Sequence, residues 1–271
     1  MYLTPYSTLT WAYQLHYYLC FRTHRRKQLF TTADIEEKLA HLLAEISIRH
    51  DYHLLKHKTY ATQVRCLFSL RPSHAVAKVI QVLKCNSARE LFSLPMWARG
   101  YAARSTGRVQ IAAVRAYLEK QGTHHGYANR ALHPVFKYRA KRPAALSAAH
   151  ASFDMSHHLV FCTKRRKGVF TSTVGAALTE YWLRVAAKRE FAIDQISTVP
   201  DHVHLIVRIV PKCSIEEVAL LLMNNGQYFM GKRYPELLIV NGMDQLWNPA
   251  AYAGTCGDLT TGLIMKWLSA E

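Results

Sequence analysis

The chain carries two copies of one sequence pattern, and this repeat limits its possible folds more than any other feature. Residues 17–30 and 157–170 align at an offset of 140 and are identical at seven of fourteen positions. The identical pairs are Leu19/Leu159, Phe21/Phe161, Thr23/Thr163, Arg25/Arg165, Arg26/Arg166, Lys27/Lys167 and Phe30/Phe170. A chain with such a repeat is expected to fold as two related units.

The segments that follow keep the same order in both copies. Apolar residues at helical spacing recur at an offset of 139, and two strand-like segments then match, QVRCLFSL (63–70) and HVHLIVRI (202–209). Each copy continues with a second helix, a strand that begins near a Trp, and a last helix. The corresponding residues of that strand lie at an offset of 150 or 151: Trp97/Trp247, Tyr101/Tyr252 and Gly107/Gly257.

This order of elements predicts the fold class and the domain organisation. Strand, helix, strand, strand, helix, strand and helix in each copy predict an α+β fold, with two tandem antiparallel sheets and helices packed on one face of each. We assign residues 1–121 and 154–271 to the two domains. Residues 122–153, rich in Ala, His, Arg and Lys, are expected to form a basic linker.

Two helix starts carry a capping signature. Thr31 with Asp34 and Ser214 with Glu217 have the spacing of a capping box, in which two side chains satisfy the first backbone N–H groups of a helix. We therefore expect a capped helix to begin at each of these positions.

The charge of the chain favours a polyanionic partner. Lys and Arg number 35 against 18 Asp and Glu, a net charge of +17. The first domain has 18 basic and seven acidic residues, and the linker has five basic and no acidic residues. The second domain is nearly balanced, with 12 basic and 11 acidic residues. Such an excess fits nucleic acid, but it also fits a merely soluble surface, so charge alone does not separate an enzyme from a coat protein.

The sequence predicts a cytoplasmic protein without membrane contact. No apolar run approaches the roughly 20 residues that span a bilayer, and residues 1–21 lack the basic start of a signal peptide. The cysteines lie far apart, without a CxxC pair, and are expected to be reduced thiols, mostly in the core.

Two histidines of the second copy form the most specific chemical signal. His202 and His204 point to the same face of the predicted strand, with Cα atoms about 7 Å apart. They can converge on one metal ion or can be two surface histidines with ordinary partners, and the spacing leaves both open. Two further histidine pairs are weaker metal candidates, with packing in a strand preferred for the second: His124/His125 and His157/His158.

The segment DHVHLIV (201–207) resembles the histidine–hydrophobe–histidine (HUH) motif of single-tyrosine transposases of the IS200-like and REP-associated types. Further motifs agree with this resemblance: the Thr/Lys/Arg cluster at 163–167, WARGYAARSTG at 97–107, and YLEKQ at 117–121. The resemblance covers nearly the whole of each copy and implies ferredoxin-like HUH domains.

The resemblance also implies a chemistry. In that family a helix tyrosine attacks a phosphodiester of single-stranded DNA, and two histidines with a Gln one turn beyond the tyrosine hold a divalent metal. The matching residues here are Tyr117 as nucleophile and His202, His204 and Gln121 as ligands of Mg²⁺ or Mn²⁺. Because transesterification conserves the phosphodiester energy, and because the sequence contains no P-loop motif, no nucleotide cofactor is expected.

Basic clusters follow the first strand of each copy and are expected to bind DNA phosphates, although a solvated charged face is the alternative. They comprise Arg25, Arg26 and Lys27 in the first copy and Lys164, Arg165, Arg166 and Lys167 in the second. By the family resemblance, the ligand is single-stranded DNA beside a hairpin, and the protein is associated with the nucleoid.

Each copy departs from the family pattern at a different element. The pairs that differ, first copy against second, are Gln63/His202, Arg65/His204, Tyr117/Trp267 and Gln121/Glu271. Each copy keeps what the other lacks, and family dimers commonly build their sites in trans. We therefore predict a pseudo-dimer within one chain, able to act as a monomer, with one composite site. Independent decay of both copies is the alternative.

The expected function is that of a single-stranded DNA transposase or strand transferase. It would cleave and rejoin DNA through a 5′-phosphotyrosine intermediate at the composite site. Two other functions stay open at this point: a non-catalytic hairpin-binding relic and a site-specific nickase.

Overall fold

The computed structural model of the protein describes residues 3–92, 95–120 and 134–269. The strands are β1 (Thr10–Gln14), β2 (His16–Thr23), β3 (His53–Tyr60), β4 (Gln63–Ser69), β5 (Trp97–Thr106), β6 (Phe136–Arg139), β7 (Ala151–Asp154), β8 (Ser156–Thr163), β9 (Phe191–Val199), β10 (His202–Ile209) and β11 (Trp247–Cys256). The helices are α1 (Ala33–Arg49), α2 (Val76–Leu91), α3 (Ile111–Lys120), α4 (Ser172–Ala187), α5 (Ile215–Arg233), α6 (Pro235–Val240) and α7 (Thr261–Ser269).

Each copy of the repeat builds its own sheet. The first sheet has the strand order β3-β4-β2-β5-β7 and the second has the order β6-β9-β10-β8-β11-β1. The strands that belong to the repeat pair antiparallel in both sheets. The predicted α+β fold of two tandem ferredoxin-like units is confirmed.

The first two helices of each copy cover one face of their own sheet. α1 contacts α2 and β3, while α4 contacts α5 and β9. Apolar residues at helical spacing in both copies contribute to the core: Leu39, Leu43 and Ile46 of α1 and Leu178 and Trp182 of α4 are buried. Burial of an apolar side chain of this size contributes about 1.5–3 kcal/mol.

The last helix of each copy crosses to the other copy. α3 packs on β9 of the second sheet, and α7 packs on β3 and β4 of the first. Leu67 of β4 joins Ile264 and Leu268 of α7 in a separate small core, whereas Val64 and Phe68 of the same strand belong to the main core. The exchanged helices therefore lie on the sheet face opposite the first two helices.

Edge strands are exchanged as well. β1 precedes the first copy but pairs in parallel with β11, and β7 precedes the second copy but pairs in parallel with β5. The range 122–153, expected to be a linker, contains β6, which pairs with β9, and all of β7 except its last residue. The domain boundaries themselves stay a prediction.

One capping prediction is confirmed and the other is wrong. Ser214 and Glu217 form the complete capping box of α5. α1 instead follows Thr32, whose side chain makes no capping hydrogen bond, so the Thr31–Asp34 box does not form. α1 is held by its buried face, and tertiary packing commonly outweighs such local signals.

Two further expectations concern the cysteines and membrane contact. The six cysteines are free thiols, of which Cys66 and Cys256 are buried, so fewer lie in the core than expected. Over the three described ranges, the helices all lack the length and apolar character that a membrane crossing requires.

Candidate active site

The two histidines of the HUH segment lie side by side on β10. β10 is an inner strand between β8 and β9, and His202 and His204 are only 5% and 6% exposed. Their ring centroids are 4.9 Å apart. Alternation along the strand puts both imidazoles on one face, while Val203, Leu205 and Val207 enter the main core.

Asp201 fixes the orientation of the first histidine. Its Oδ1 lies 2.6 Å from Nδ1 of His202, and its Oδ2 lies 2.8 Å from Nε of Arg166. Burial alone raises the pKa of the Asp201 carboxyl, but the hydrogen bond to His202 and the charges of His202 and Arg166 lower it below its ordinary value. An ionised carboxylate only accepts hydrogen bonds, so Nδ1 of His202 donates its hydrogen to Asp201 and Nε2 is the ring nitrogen that does not contact this carboxylate.

His158 of β8 orients the second histidine. Its Nε2 lies 3.0 Å from Nδ1 of His204, and the two rings stack with centroids 5.2 Å apart. Burial lowers the pKa of His158 to about 4, so this imidazole is neutral at physiological pH. Tyr252 packs edge-on against the other side of His158, with ring centroids 5.7 Å apart.

Tyr117 of the first copy lies beside these histidines of the second copy. Its ring centroid is 6.0 Å from that of His204, in an edge-to-face arrangement. The tyrosine is 36% exposed and, with His158 and Tyr252, lines a cleft of about 490 Å³ that opens to solvent. The Tyr117 side chain is therefore accessible from solvent.

The tyrosine helix is held on the second sheet by polar and apolar contacts. Arg115 of α3 lies 3.4 Å from Asp194 of β9, which Arg208 also contacts at 2.9 Å. Leu118, one residue beyond Tyr117, is fully buried. These contacts fix the rotation of α3 about its axis and direct Tyr117 to the histidines.

The histidines fit a divalent cation. A metal-binding imidazole typically gives one nitrogen to the ion and hydrogen-bonds through the other, and the Nδ1 contacts of His202 and His204 match this pattern. Gln121, expected as a further ligand, lies outside the described residues, as do Glu271, His124 and His125. Within the described ranges, no three His, Cys, Asp or Glu side chains are grouped to hold a metal.

The two basic clusters adopt the same unusual turn. Arg25 and Arg26 have φ of 53° and 55°, and Arg165 and Arg166 both have φ of 55°. In both turns a threonine hydroxyl donates a 2.7 Å hydrogen bond to the lysine carbonyl four residues later. Left-handed backbone is uncommon for arginine, so its presence in both copies marks these turns as candidates for function.

The turns differ in their charge partners. Arg166 pairs with Asp201, and Lys164 pairs with Asp244 at 2.7 Å. The structure thus brings Arg166 to the histidine site. Arg25, Arg26 and Lys27 lie exposed on the first copy, where Thr62 occupies the position that matches Asp201.

The corresponding place in the first copy keeps the architecture without the functional groups. Gln63 and Arg65 occupy the strand positions of His202 and His204, and Trp267 of α7 occupies that of Tyr117. The pair that matches Arg115 and Asp194 consists of Met265 and Leu55, which pack in the small core. We call this place the vestigial site.

Sequence reasoning missed the supporting roles of three residues: Asp201, His158, which it named only as a weak metal candidate, and Arg166, which it assigned to DNA phosphates. Asp201 directly precedes the HUH histidines, and a carboxylate beside a candidate ligand is a signal that could have been used. The role of His158 depends on the register of β8 and β10. His158 pairs with Ile206, so it lies on the same sheet face as His204 and diagonally opposite it. His157, on the other face, is buried and bonded to Tyr17.

Both copies of the repeat match a known protein family. The family model "Transposase IS200 like" matches twice, at residues 11–121 and 151–270. ISDra2 transposase TnpA of Deinococcus radiodurans is 26% identical over 119 residues, which cover 44% of this chain and 85% of the relative. The transposase for insertion sequence element IS200 of Salmonella typhimurium is 22% identical over 114 residues, which cover 42% of this chain and 75% of the relative.

Two solved structures are similar to part of the chain. A crystal structure of a putative transposase from Deinococcus radiodurans has a TM-score of 0.34 and 24% identity, and the match covers 41% of this chain and 92% of that one. A REP-associated tyrosine transposase bound to a REP hairpin has a TM-score of 0.31 and 10% identity, with coverage of 43% and 67%. Since the family model matches most of the sequence in two successive segments, the chain belongs to the IS200-like transposase family as a tandem fusion.

Proposed function

We propose that this transposase cleaves and rejoins single-stranded DNA at one composite site, with the nucleophile from the first copy and the metal ligands from the second. Family membership makes the chain a DNA-processing enzyme of transposition. The observation that carries the finer proposal is the 6.0 Å separation of the Tyr117 and His204 rings. Each copy lost one half of the site, and α3 crosses to the sheet that retains the other half.

The reaction is a transesterification. The Tyr117 oxygen forms a bond to the scissile phosphorus as the bond to the 3′ oxygen breaks, which yields a 5′-phosphotyrosine and a free 3′-hydroxyl after proton transfer. A strand hydroxyl reverses the step and releases the tyrosine. No bond energy is lost, so no nucleotide cofactor is needed.

The second copy supplies the electrostatic part of the site. His202, His204 and Gln121 would hold Mg²⁺ or Mn²⁺, which when bound polarises the phosphate and stabilises the charge of the transition state. Asp201 and His158 keep the two imidazoles in the orientation that this binding requires. Arg166 in turn holds Asp201.

The substrate in this proposal is single-stranded DNA next to a hairpin. The two basic turns, which directly follow β2 and β8 and carry exposed arginines, supply cations for the phosphates. Because both copies lie in one chain, the protein can act as a monomer.

A covalent-adduct assay tests the proposal. Purified protein is mixed with labelled single-stranded hairpin oligonucleotides and Mg²⁺ or Mn²⁺, and the products are separated on a denaturing gel. Wild type and Tyr228→Phe, which alters an exposed tyrosine of α5, should give a protein–DNA adduct. Tyr117→Phe and His202→Ala should give none at any metal concentration, and an adduct that persists in Tyr117→Phe contradicts the proposal.

Mixing the two inactive variants tests whether the site lies within one chain. Each Tyr117→Phe or His202→Ala molecule lacks one part of its composite site, so the mixture should stay inactive. An adduct in the mixture would mean that two chains share a site. DNA binding without any wild-type adduct would favour the non-catalytic hairpin-binding protein, and cleavage without rejoining would favour the nickase.

A further inference from the structure

The vestigial site lies on the sheet face of the first copy that matches the face with His202 and His204 in the second copy. Gln63, Arg65 and Leu67 of β4 point to the face that α7 covers in part, as His202, His204 and Ile206 of β10 do for α3. Directly paired residues of antiparallel strands share a face. The same face therefore also carries Tyr18, Cys20 and Arg22 of β2 and Lys56, Lys58 and Tyr60 of β3.

Three positions of this face carry a positive charge that the active copy lacks. The positions of Arg22, Lys58 and Lys56 correspond to Cys162, Ser197 and Gln195 in the second sheet, all of them uncharged. The strands β2, β3 and β4 contain no acidic residue. Where the first copy lacks the histidines, it has cations rather than neutral residues at these three positions.

Arg65 stands where the active copy has a metal ligand. Its guanidinium lies over the Tyr60 ring, 4.7 Å from the centroid, and its Nε is buried without a hydrogen-bond partner among the described residues. Tyr60 holds the guanidinium plane, which matches the geometry of a phosphate. A fixed protein cation thus occupies the place where the active copy would bind a metal ion.

An exposed aromatic side chain adds a flat surface on which a base can stack. Trp267 occupies the helix position of Tyr117 and is 55% exposed on α7, which packs on β3 and β4. An indole cannot attack phosphorus, but it stacks on unpaired bases, and such stacking beside a basic groove is how proteins hold single strands.

We propose that the vestigial site is a second, non-cleaving binding site for single-stranded DNA, with Arg65 on a phosphate and Trp267 stacked on a base. Lys58 and Arg22 add charge along the strand. This inference rests on the proposed function only in that single-stranded DNA is the ligand. It assigns cleavage to one side of the pseudo-dimer and retention of DNA to the other.

Binding without metal tests this inference separately from cleavage. The full chain is titrated in EDTA against fluorescein-labelled oligothymidylate of about 16 nucleotides, and anisotropy is followed over a range of salt concentrations. Arg65→Gln should weaken binding about tenfold and lower the salt slope by about 0.7, the value for one lost phosphate contact on a single strand. Arg65→Lys keeps the charge and should recover part of the affinity.

Trp267→Ala extends the test to a side chain that is too exposed to affect folding. It should weaken binding about fivefold or more with an unchanged salt slope, because stacking releases no counterions. Arg189→Gln, an exposed residue after α4, is the matched control and should change affinity less than twofold. Binding by Arg65→Gln and Trp267→Ala equal to that of the control would overturn the inference.

The outcomes separate the two proposals. Binding that depends on Arg65, together with the absence of any tyrosine adduct, would contradict the proposed composite active site and support DNA binding at the vestigial site. A Tyr117 adduct with binding that is independent of Arg65 and Trp267 would do the reverse. Absence of any DNA binding would overturn both.

Discussion

The hydroxyl of Tyr17 lies 2.7 Å from Nε2 of His157, and these two residues occupy equivalent positions in the two copies. A residue touches its own counterpart only at a twofold axis, so this contact marks the axis of the pseudo-dimer. Reciprocal bonds surround it: Ser105 donates to the Cys256 carbonyl and Thr255 to the Thr106 carbonyl, both at 2.6 Å.

The close approach at this axis needs glycine. A Cβ on Gly107 would lie 2.6 Å from the Thr255 carbonyl oxygen, inside van der Waals contact. Gly107→Ala should therefore lower the free energy of unfolding by about 2 kcal/mol in urea denaturation. Gly262→Ala is the control, since its Cβ would meet nothing within 4 Å and alanine favours a helix. Equal stability of the two variants would show that the copies are not packed as described.

His157 predicts acid sensitivity of the interface. Burial lowers its pKa from 6.5 to about 3. Between these two pH values the imidazole is protonated in the unfolded state but not in the folded state. Stability should fall as the pH decreases from about 6.5 to about 3, by about 1.4 kcal/mol per pH unit for this one group. His157→Gln retains a polar partner for Tyr17 and should show a shallower loss in urea unfolding over this range. Parallel pH profiles for the two proteins would contradict the burial of a neutral imidazole.

Much of this fold could be predicted because the same pattern of elements occurs in both copies of the repeat. The order of elements, the helix faces and the positions of Tyr117, His202 and His204 follow from spacing and from family resemblance. Exchange of α3, α7 and the edge strands could not be predicted from periodicity, because an amphipathic helix does not specify which sheet it covers. The Asp201–Arg166 and His158–His204 contacts were missed because they depend on strand register and on a left-handed turn.

Asp201 is expected to control metal affinity through His202. Asp201→Asn keeps the size of the side chain but weakens the hydrogen bond that orients the imidazole. Loss of such a supporting partner typically lowers metal affinity 10- to 100-fold, which calorimetric titration with Mn²⁺ would measure. Asp244→Asn removes the same charge from an exposed pair with Lys164 and should leave the affinity unchanged. A similar effect of both variants would mean that net charge, not orientation, governs binding.

The first basic turn should contribute more to DNA affinity than the second. Arg166 and Lys164 already pair with carboxylates, whereas Arg25, Arg26 and Lys27 lie exposed. Neutralising these three residues to Gln should lower the salt slope of single-strand binding by about two, or about 0.7 for each phosphate contact. Neutralising Lys164, Arg165 and Arg166 should have a smaller effect in the same anisotropy titration. A larger decrease of the salt slope in the second-turn variant would mean that the second copy contributes more of the DNA contacts.

The most direct test of the composite site is to identify the tyrosine that carries DNA. The adduct is formed with a hairpin oligonucleotide, trimmed with nuclease and digested with trypsin, which cleaves after Arg115 and Lys120 and releases residues 116–120. Mass spectrometry should find the nucleotide on that peptide, at Tyr117, and formation of the adduct should require His204 from the other copy. A nucleotide on any other of the 15 tyrosines, or an adduct that survives His204→Ala, would contradict the account.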